Sequence, residues 1–149
     1  MISNLGEPKL LMSNSKSNFL EQYSHSIQCN DLGIYFADSS EKVSYPEDGN
    51  NNCYEIEENS FWFRHRNNCI IEMIKNFRSS TDGSIFDIGG GNGFVAKGLM
   101  DAGFEVVMVE PGIRGVRNGK KRGLPHVICA TTHTANLNQE PYPLSGYLM

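Results

Sequence analysis

The stretch that decides the fold is residues 84–94, SIFDIGGGNGF. A short apolar segment with one carboxylate, Asp87, runs directly into three glycines, an asparagine and a fourth glycine. Apolar residues on both sides of Asp87 are typical of a strand in a parallel sheet covered on both faces. Glycine permits positive φ and has no Cβ. Residues 89–93, the glycine loop, are therefore predicted to turn sharply into a helix and to bring bare backbone close to a ligand.

Strand and helix patterns alternate on both sides of the glycine loop. Upstream, Asn59 or Ser60 can cap a helix whose apolar residues recur at helical spacing down to about Arg78. Downstream come a helix at 94–103, a strand at 104–110, a weaker helix at 111–123 and a strand at 124–130. This alternation predicts an α/β fold, namely a Rossmann-like, partial doubly wound parallel sheet with flanking helices.

The rest of the chain gives weaker signals, which suggest three regions. Residues 1–30 are rich in Ser, Asn and Gln and predict a poorly ordered tail, with a weak helical signal at 19–23. Residues 31–58 mix β-prone pieces (GIYFA, KVSY, CYEI) with turn signals and predict a small β/loop extension whose loop tip is at 50–52. Residues 59–149 are the predicted partial Rossmann-like domain, with GYLM at 146–149 as the start of a further strand.

The predicted domain accounts for about half of a doubly wound fold, which usually has two mononucleotide-binding halves. An edge strand with unpaired backbone groups invites association with another chain. We therefore expect a truncated chain or fragment. A homo-oligomer that covers the exposed sheet edge is the alternative.

Composition narrows the function classes. The chain has 149 residues, a formal net charge of -4 and four scattered cysteines. The net charge argues against a general nucleic-acid binder, and the basic run at 114–122 is interpreted as the solvated face of a helix. No apolar run approaches the ~20 residues that span a bilayer, and no secretory signal begins the sequence. Cysteines without CxxC or zinc-ligand spacing predict no metal site and indicate reduced thiols in a cytoplasmic protein.

A second carboxylate, Glu110, ends the strand FEVVMVE that follows the glycine loop. An acidic residue there is the usual ribose anchor of dinucleotide folds, and Gly91, Gly93 and Ala96 satisfy the pattern G-x-G-x-x-G/A. The helix beginning near Asn92 directs free N–H groups toward the loop and suits a phosphate or a carboxylate. Asp87, however, would repel a pyrophosphate and favours a ligand with a cationic amino group.

DIGGGNG at 87–93 and VVMVEPG at 106–112 resemble motif I and the post-I acidic residue of class I S-adenosylmethionine-dependent methyltransferases. The family pattern is acidic-h-G-x-G-x-G, which Asp87, Gly89, Gly91 and Gly93 match position by position. The resemblance implies that Asp87 lies near the cofactor amino group. It also implies that the glycine loop, with Gly90 and Asn92, passes under the methionine part. Glu110, followed by Pro111, would bind the ribose hydroxyls.

FWFRHRN at 61–67 resembles the helix that leads into motif I in some bacterial members, which makes Arg64 a candidate for binding the cofactor carboxylate. The resemblance covers roughly residues 55–130. The chain departs from the family after the third strand, where Thr131, Thr132 and His133 stand in place of a carboxylate for the adenine amino group. The motif IV region is unrecognisable in PYPLSGYLM, so no catalytic residue is assigned.

These observations leave three hypotheses for function. The preferred one is S-adenosylmethionine-dependent methyl transfer to an unknown substrate, with this chain as the cofactor-binding half. The second is an NAD(P)-binding Rossmann fragment that uses Gly91, Gly93 and Ala96. The third is a catalytically inactive fragment that acts by binding a partner through its sheet edge.

Overall fold

The computed structural model describes residues 18–38, 49–78 and 83–137. These residues form five strands and six helices. The strands are β1 Ile27–Cys29, β2 Ile34–Ala37, β3 Ile85–Ile88, β4 Val106–Val109 and β5 His126–Cys129. The helices are α1 Asn18–Glu21, α2 Gly49–Glu57, α3 Phe61–Phe77, α4 Phe94–Asp101, α5 Ile113–Lys121 and α6 Thr132–Ala135. None of the helices in the described part of the chain is long and apolar enough to cross a membrane.

The five strands form one mixed sheet in the order β1-β2-β5-β4-β3. The strands β2, β5, β4 and β3 are parallel, and β1 pairs antiparallel with β2. The prediction of an α/β chain with flanking helices is confirmed. Because the carboxyl ends of parallel strands meet at one edge of a sheet, the loops after β3, β4 and β5 lie side by side.

Both faces of the sheet are buried, as β4 shows most clearly. Val106 and Met108 belong to an apolar cluster on one face, and Val107 and Val109 belong to a cluster on the other. This alternation follows from the two-residue period of a strand. A strand buried on both faces reads as a continuous apolar run, which is why VVMV carried a strong signal.

The N-terminal region differs from the prediction of a tail. Residues 1–17 lie outside the described residues, but α1 and β1 fall within the stretch that was expected to be poorly ordered. Leu20 is fully buried in the cluster that contains Phe86, and Tyr23 packs edge-on against the Phe86 ring. These contacts with the sheet order a segment whose own sequence is weakly structured. The weak helical signal at 19–23 corresponds to α1.

The region 31–58 also differs from the predicted extension. GIYFA contains β2, but this strand pairs with β5 and therefore belongs to the main sheet. The predicted loop tip at 50–52 and the predicted strand CYEI both lie in α2, and KVSY lies outside the described residues. Asparagine has a low helix propensity, and the contacts of α2 with α5 override it. The further strand expected at 146–149 also falls outside the described residues.

Candidate functional site

The glycine loop leaves β3 through three residues in the left-handed region. Gly89, Gly91 and Gly93 have φ of 70°, 55° and 76°. The N–H of Gly89 still donates to the backbone O of Val109 at 2.8 Å, so the loop begins while the strand is paired with β4. L-residues with a Cβ rarely adopt this conformation. The structure therefore gives the physical reason for the glycine spacing.

The glycines differ in what surrounds them. A Cβ at Gly89 or Gly91 would meet nothing within 4 Å. A Cβ at Gly93 would lie 2.7 Å from Leu124 Cδ1 and 3.1 Å from the Cα of Gly119. Gly93 is therefore required by packing between the loop and α5, whereas Gly89 and Gly91 present bare backbone to open space.

Asp87 is the buried carboxylate at the end of β3. Its residue is 3 % exposed, and the backbone N–H of Ala96 donates to its carboxylate. Among the described residues, Oδ2 has no hydrogen-bond partner. Burial raises the pKa of Asp87 to about 6, and repulsion from Glu110 adds to this rise, while the Ala96 hydrogen bond opposes it. A buried carboxylate with an unsatisfied oxygen is costly to the fold, which makes Asp87 a candidate binding group.

Glu110 lies beside the loop at the end of β4. Its Oε2 accepts a hydrogen bond from the N–H of Gly91 at 2.9 Å, and its Oε1 accepts one from the N–H of Gly112 at 2.7 Å. Burial raises the pKa of Glu110, and these two hydrogen bonds oppose the rise. Glu110 therefore fixes the glycine loop and the start of α5 in the protein itself, a role that sequence reasoning did not assign to it.

A cavity of about 230 Å³ opens at the carboxyl end of β3. Five of the sequence-predicted site residues line it, namely Asp87, Gly89, Gly90, Gly91 and Asn92. The other lining residues are Glu57, Arg66, Ile70, Phe94 and Val95. Gly93 and Glu110 are outside the lining set; Gly93 packs against Leu124, and Glu110 accepts a hydrogen bond from Gly91. Pro111 follows Glu110 and is outside the lining set.

Arg66 is the cationic residue among the described residues that line the cavity, whereas the sequence-based candidate was Arg64. Both arginines are exposed, and Arg64 is outside the lining set. Arg66 precedes Ile70 by four residues on α3, so both side chains face the same side of the helix. The Arg66 guanidinium carbon lies 5.0 Å from the Trp62 ring centroid, and its charge weakly opposes the rise that burial causes in the pKa of Asp87 and Glu57. The i, i+4 relation to the apolar Ile70 is the sequence signal that could have pointed to Arg66.

Glu57 is a cavity residue that sequence reasoning missed. It ends α2 and is 7 % exposed. Burial raises its pKa, and its hydrogen bond from Asn92 and its ion pair with Arg122 oppose the rise. Nothing in the local sequence of α2 marks Glu57 as a site residue, because its partners lie more than thirty positions away along the chain.

The segment after β5 has a structural role at Thr131. Its hydroxyl accepts a hydrogen bond from the N–H of Thr134 at 3.1 Å, and the two residues form a capping box at the start of α6. Thr132 and His133 are exposed. No three His, Cys, Asp or Glu side chains within the described ranges are grouped so that they could hold a metal ion.

Comparisons of the chain with protein-family models, with curated proteins and with solved structures return no match.

Proposed function

We propose that this chain is the cofactor-binding half of a Rossmann-like class I S-adenosylmethionine-dependent methyltransferase. The cavity at the end of β3 would bind the methionine part of the cofactor. The observation that carries the proposal is the buried carboxylate of Asp87, whose Oδ2 has no hydrogen-bond partner among the described residues, at a cavity that Asp87 and Gly89 to Gly91 line. The methyl acceptor is not part of the proposal.

The charges of the cavity fit an α-amino acid group. An ammonium has three donors and no acceptor, so it would supply the partner that Asp87 Oδ2 lacks. Arg66 lines the same cavity and presents a planar guanidinium suited to a carboxylate. The absence of a Cβ at Gly89 and Gly91 leaves room for a ligand to approach the backbone. The bound cofactor would supply an electrophilic methyl group, and these residues would orient it.

Glu110 can also take part in binding the ribose. A carboxylate has about four acceptor positions, and Gly91 and Gly112 use two of them. In this proposal Glu110 fixes the loop and also offers its remaining acceptor positions to the ribose hydroxyls. Substituting it would therefore weaken the fold and the ribose contact together, which makes Asp87 the cleaner position to test.

A pyrophosphate dinucleotide fits the site less well. Its pattern would require the second glycine, Gly93, to leave its backbone open to the pyrophosphate. Gly93 instead packs against Leu124, and the N–H of Ala96 donates to Asp87. Asp87 itself would repel the phosphate charge. These contacts favour the methionine ligand over NAD(P).

The proposed enzyme is cytoplasmic, and its oligomeric state is left as an alternative. The four cysteines are free thiols, which supports a cytoplasmic enzyme because cytosolic thiols stay reduced. The homo-oligomer through the sheet edge and the inactive binding fragment remain alternatives. They predict, respectively, a concentration-dependent mass and a folded chain without cofactor affinity.

Calorimetric titration of S-adenosylhomocysteine into the 149-residue chain tests the proposal, with NAD as the control ligand. We expect micromolar binding of S-adenosylhomocysteine and none of NAD. The Asp87→Asn variant should bind at least ~10-fold more weakly because the ammonium loses its charged partner. Asp101→Asn is the matched control, since Asp101 is an exposed carboxylate that pairs with Lys97.

The pH dependence of this titration gives a second test. Because the pKa of Asp87 is raised to about 6, the carboxyl must lose a proton before it can pair with an ammonium. Affinity at pH 5 should be about tenfold lower than at pH 7.5, and Asp87→Asn should remove most of this difference. Binding of NAD in preference, or affinity that is equal in the wild type and in Asp87→Asn, would contradict the proposal.

A further inference from the structure

Arg122 follows α5 and connects three parts of the molecule. Its Nε donates to the backbone O of Asn92 in the glycine loop at 3.0 Å. Its Nη2 donates to Glu57, the last residue of α2, at 2.9 Å, and its Nη1 donates to Glu58, the next residue, at 2.6 Å. The side chain of Arg122 is 4 % exposed, although the basic run was expected to form a solvated face. Arg122 thus joins the glycine loop, α2 and α5.

The contacts around Arg122 close into a ring. The side-chain amide of Asn92 donates to Glu57 Oε1 at 3.2 Å, and Glu57 Oε2 accepts from Arg122. The amide oxygen of Asn92 accepts from Asn118 of α5 at 3.0 Å. Asn92 is 2 % exposed, so these bonds form out of water, where losing one partner is costly. The conformation of the loop at Asn92 is therefore tied to the position of α2.

The guanidinium of Arg122 is also held by aromatic rings. Its central carbon lies 4.5 Å from the Tyr54 ring centroid in α2 and 5.2 Å from the Phe94 ring centroid at the start of α4. Phe94 and Glu57 both line the cavity. A planar guanidinium with five donors can contact the loop carbonyl and both carboxylates at once. The compact ammonium of a lysine cannot reproduce this arrangement of hydrogen bonds.

Resting on the proposed function, we propose that Arg122 is a positioning residue for cofactor binding. It holds the glycine loop in its binding conformation and couples the loop to α2. Because Glu57 of α2 forms part of the cavity wall, docking of α2 completes the site. Thermodynamic reciprocity then requires that cofactor binding strengthen the docking of α2 to the same extent.

Hydrogen exchange of the ligand-free protein tests the positioning role of Arg122 independently of any cofactor. In Arg122→Lys, the amides at 89–93 and 54–57 should exchange about tenfold faster than in the wild type, while those of β4 stay unchanged. Arg117→Lys is the matched control, because Arg117 lies on α5 and is exposed, and it should exchange like the wild type. Equal exchange in Arg122→Lys and the wild type would overturn the proposal.

Hydrogen exchange in the presence of S-adenosylhomocysteine tests the coupling between the glycine loop and α2. In the wild type the ligand should slow exchange in the glycine loop and in α2 together. Arg122→Lys should bind about tenfold more weakly and lose the protection of α2. Protection of the loop without α2 in the wild type would overturn the coupling, even if Arg122→Lys fails to fold. If the wild type does not bind the ligand at all, the proposed function fails, and the ligand-free comparison alone decides the role of Arg122.

Discussion

Gly91 and Gly93 lie two residues apart in the glycine loop, and their surroundings predict different effects of the same substitution. Gly91→Ala places a Cβ in open space, so its penalty comes from the φ of 55° and should be about 1 kcal/mol. Gly93→Ala adds a contact of 2.7 Å with Leu124 and should lower the free energy of unfolding by about 3 kcal/mol or more. Urea denaturation of both variants measures the difference.

Gly103→Ala serves as the control for backbone strain in this comparison. Gly103 has a φ of 94°, and a Cβ there would also meet nothing within 4 Å. Its loss of stability should match that of Gly91→Ala, but it should leave S-adenosylhomocysteine binding unchanged. Equal destabilisation by Gly91→Ala and Gly93→Ala would refute the assignment of Gly93 to packing.

At the residue scale, the sequence predicts those site residues that are close together in the chain or on neighbouring parallel strands. Asp87 and the glycine loop are contiguous, and Glu110 ends the adjacent parallel strand, so a strand–loop–helix–strand reading brings them together. Choosing between Arg64 and Arg66 depended on the rotation of α3 about its axis relative to the sheet. The roles of Glu57 and Arg122 could not be predicted, because they arise from contacts between segments that are distant in the sequence.

The contact between α3 and α4 reverses the usual rule for a helical glycine. Gly98 lies inside α4, where replacement by alanine normally stabilises a helix by ~1 kcal/mol. Here a Cβ would lie 2.3 Å from Nδ2 of Asn67 and 3.0 Å from its Cγ. Asn67 is 7 % exposed and donates to the backbone O of Phe94 at 3.2 Å. We expect Gly98→Ala to destabilise the protein by ~1–3 kcal/mol.

A double-mutant cycle with Asn67→Ala isolates this contact. The smaller side chain makes room for the new Cβ, so Gly98→Ala should destabilise the Asn67→Ala protein much less than the wild type. Thermal unfolding of the four proteins gives the coupling energy. Additive effects of the two substitutions would show that the close approach of α3 and α4 does not restrict position 98.

At the element scale, periodicity identified the segments that bury an apolar face. The helices α3 and α4 were predicted for this reason, whereas the strands β3, β4 and β5 were predicted from short continuous apolar runs. The helix α2 was missed because GNNNCYEIE has little apolar periodicity and begins with residues of low helix propensity. Short helices obtain most of their stability from tertiary contacts. The ion pair of Glu57 with Arg122 is such a contact.

At the scale of the whole molecule, the parallel part of the sheet followed from the order of the patterns, but its full strand order did not. The strand β2 inserts between β1 and β5, although almost ninety residues separate it from β5. The sequence IYFA predicts a strand but does not indicate its partner, because pairing between strands so far apart leaves no local pattern. The carboxyl edge of the sheet brings Asp87 and Glu110 together, and α2 adds Glu57 to the cavity there.

These three buried carboxyls predict how the stability of the whole molecule depends on pH. Burial raises the pKa of all three, and that of Asp87 rises from an ordinary 3.8 to about 6. Between these two values the folded state binds more protons than the unfolded state, so the free energy of unfolding falls as pH rises. The contribution of Asp87 is complete below about pH 4, is lost as pH rises through 6, and is on the order of 3 kcal/mol.

Asp87→Asn should therefore stabilise the ligand-free protein at pH 7.5 and have little effect at pH 4, which urea denaturation at both values would measure. Asp101→Asn, at an exposed carboxylate, should show no such pH-dependent difference. The same Asp87→Asn substitution should weaken binding of S-adenosylhomocysteine, because the group that strains the fold is the one proposed to hold the ligand. A variant that is less stable than the wild type at pH 7.5 would mean that a partner already compensates the Asp87 charge, and the argument for an ammonium ligand would lose its basis.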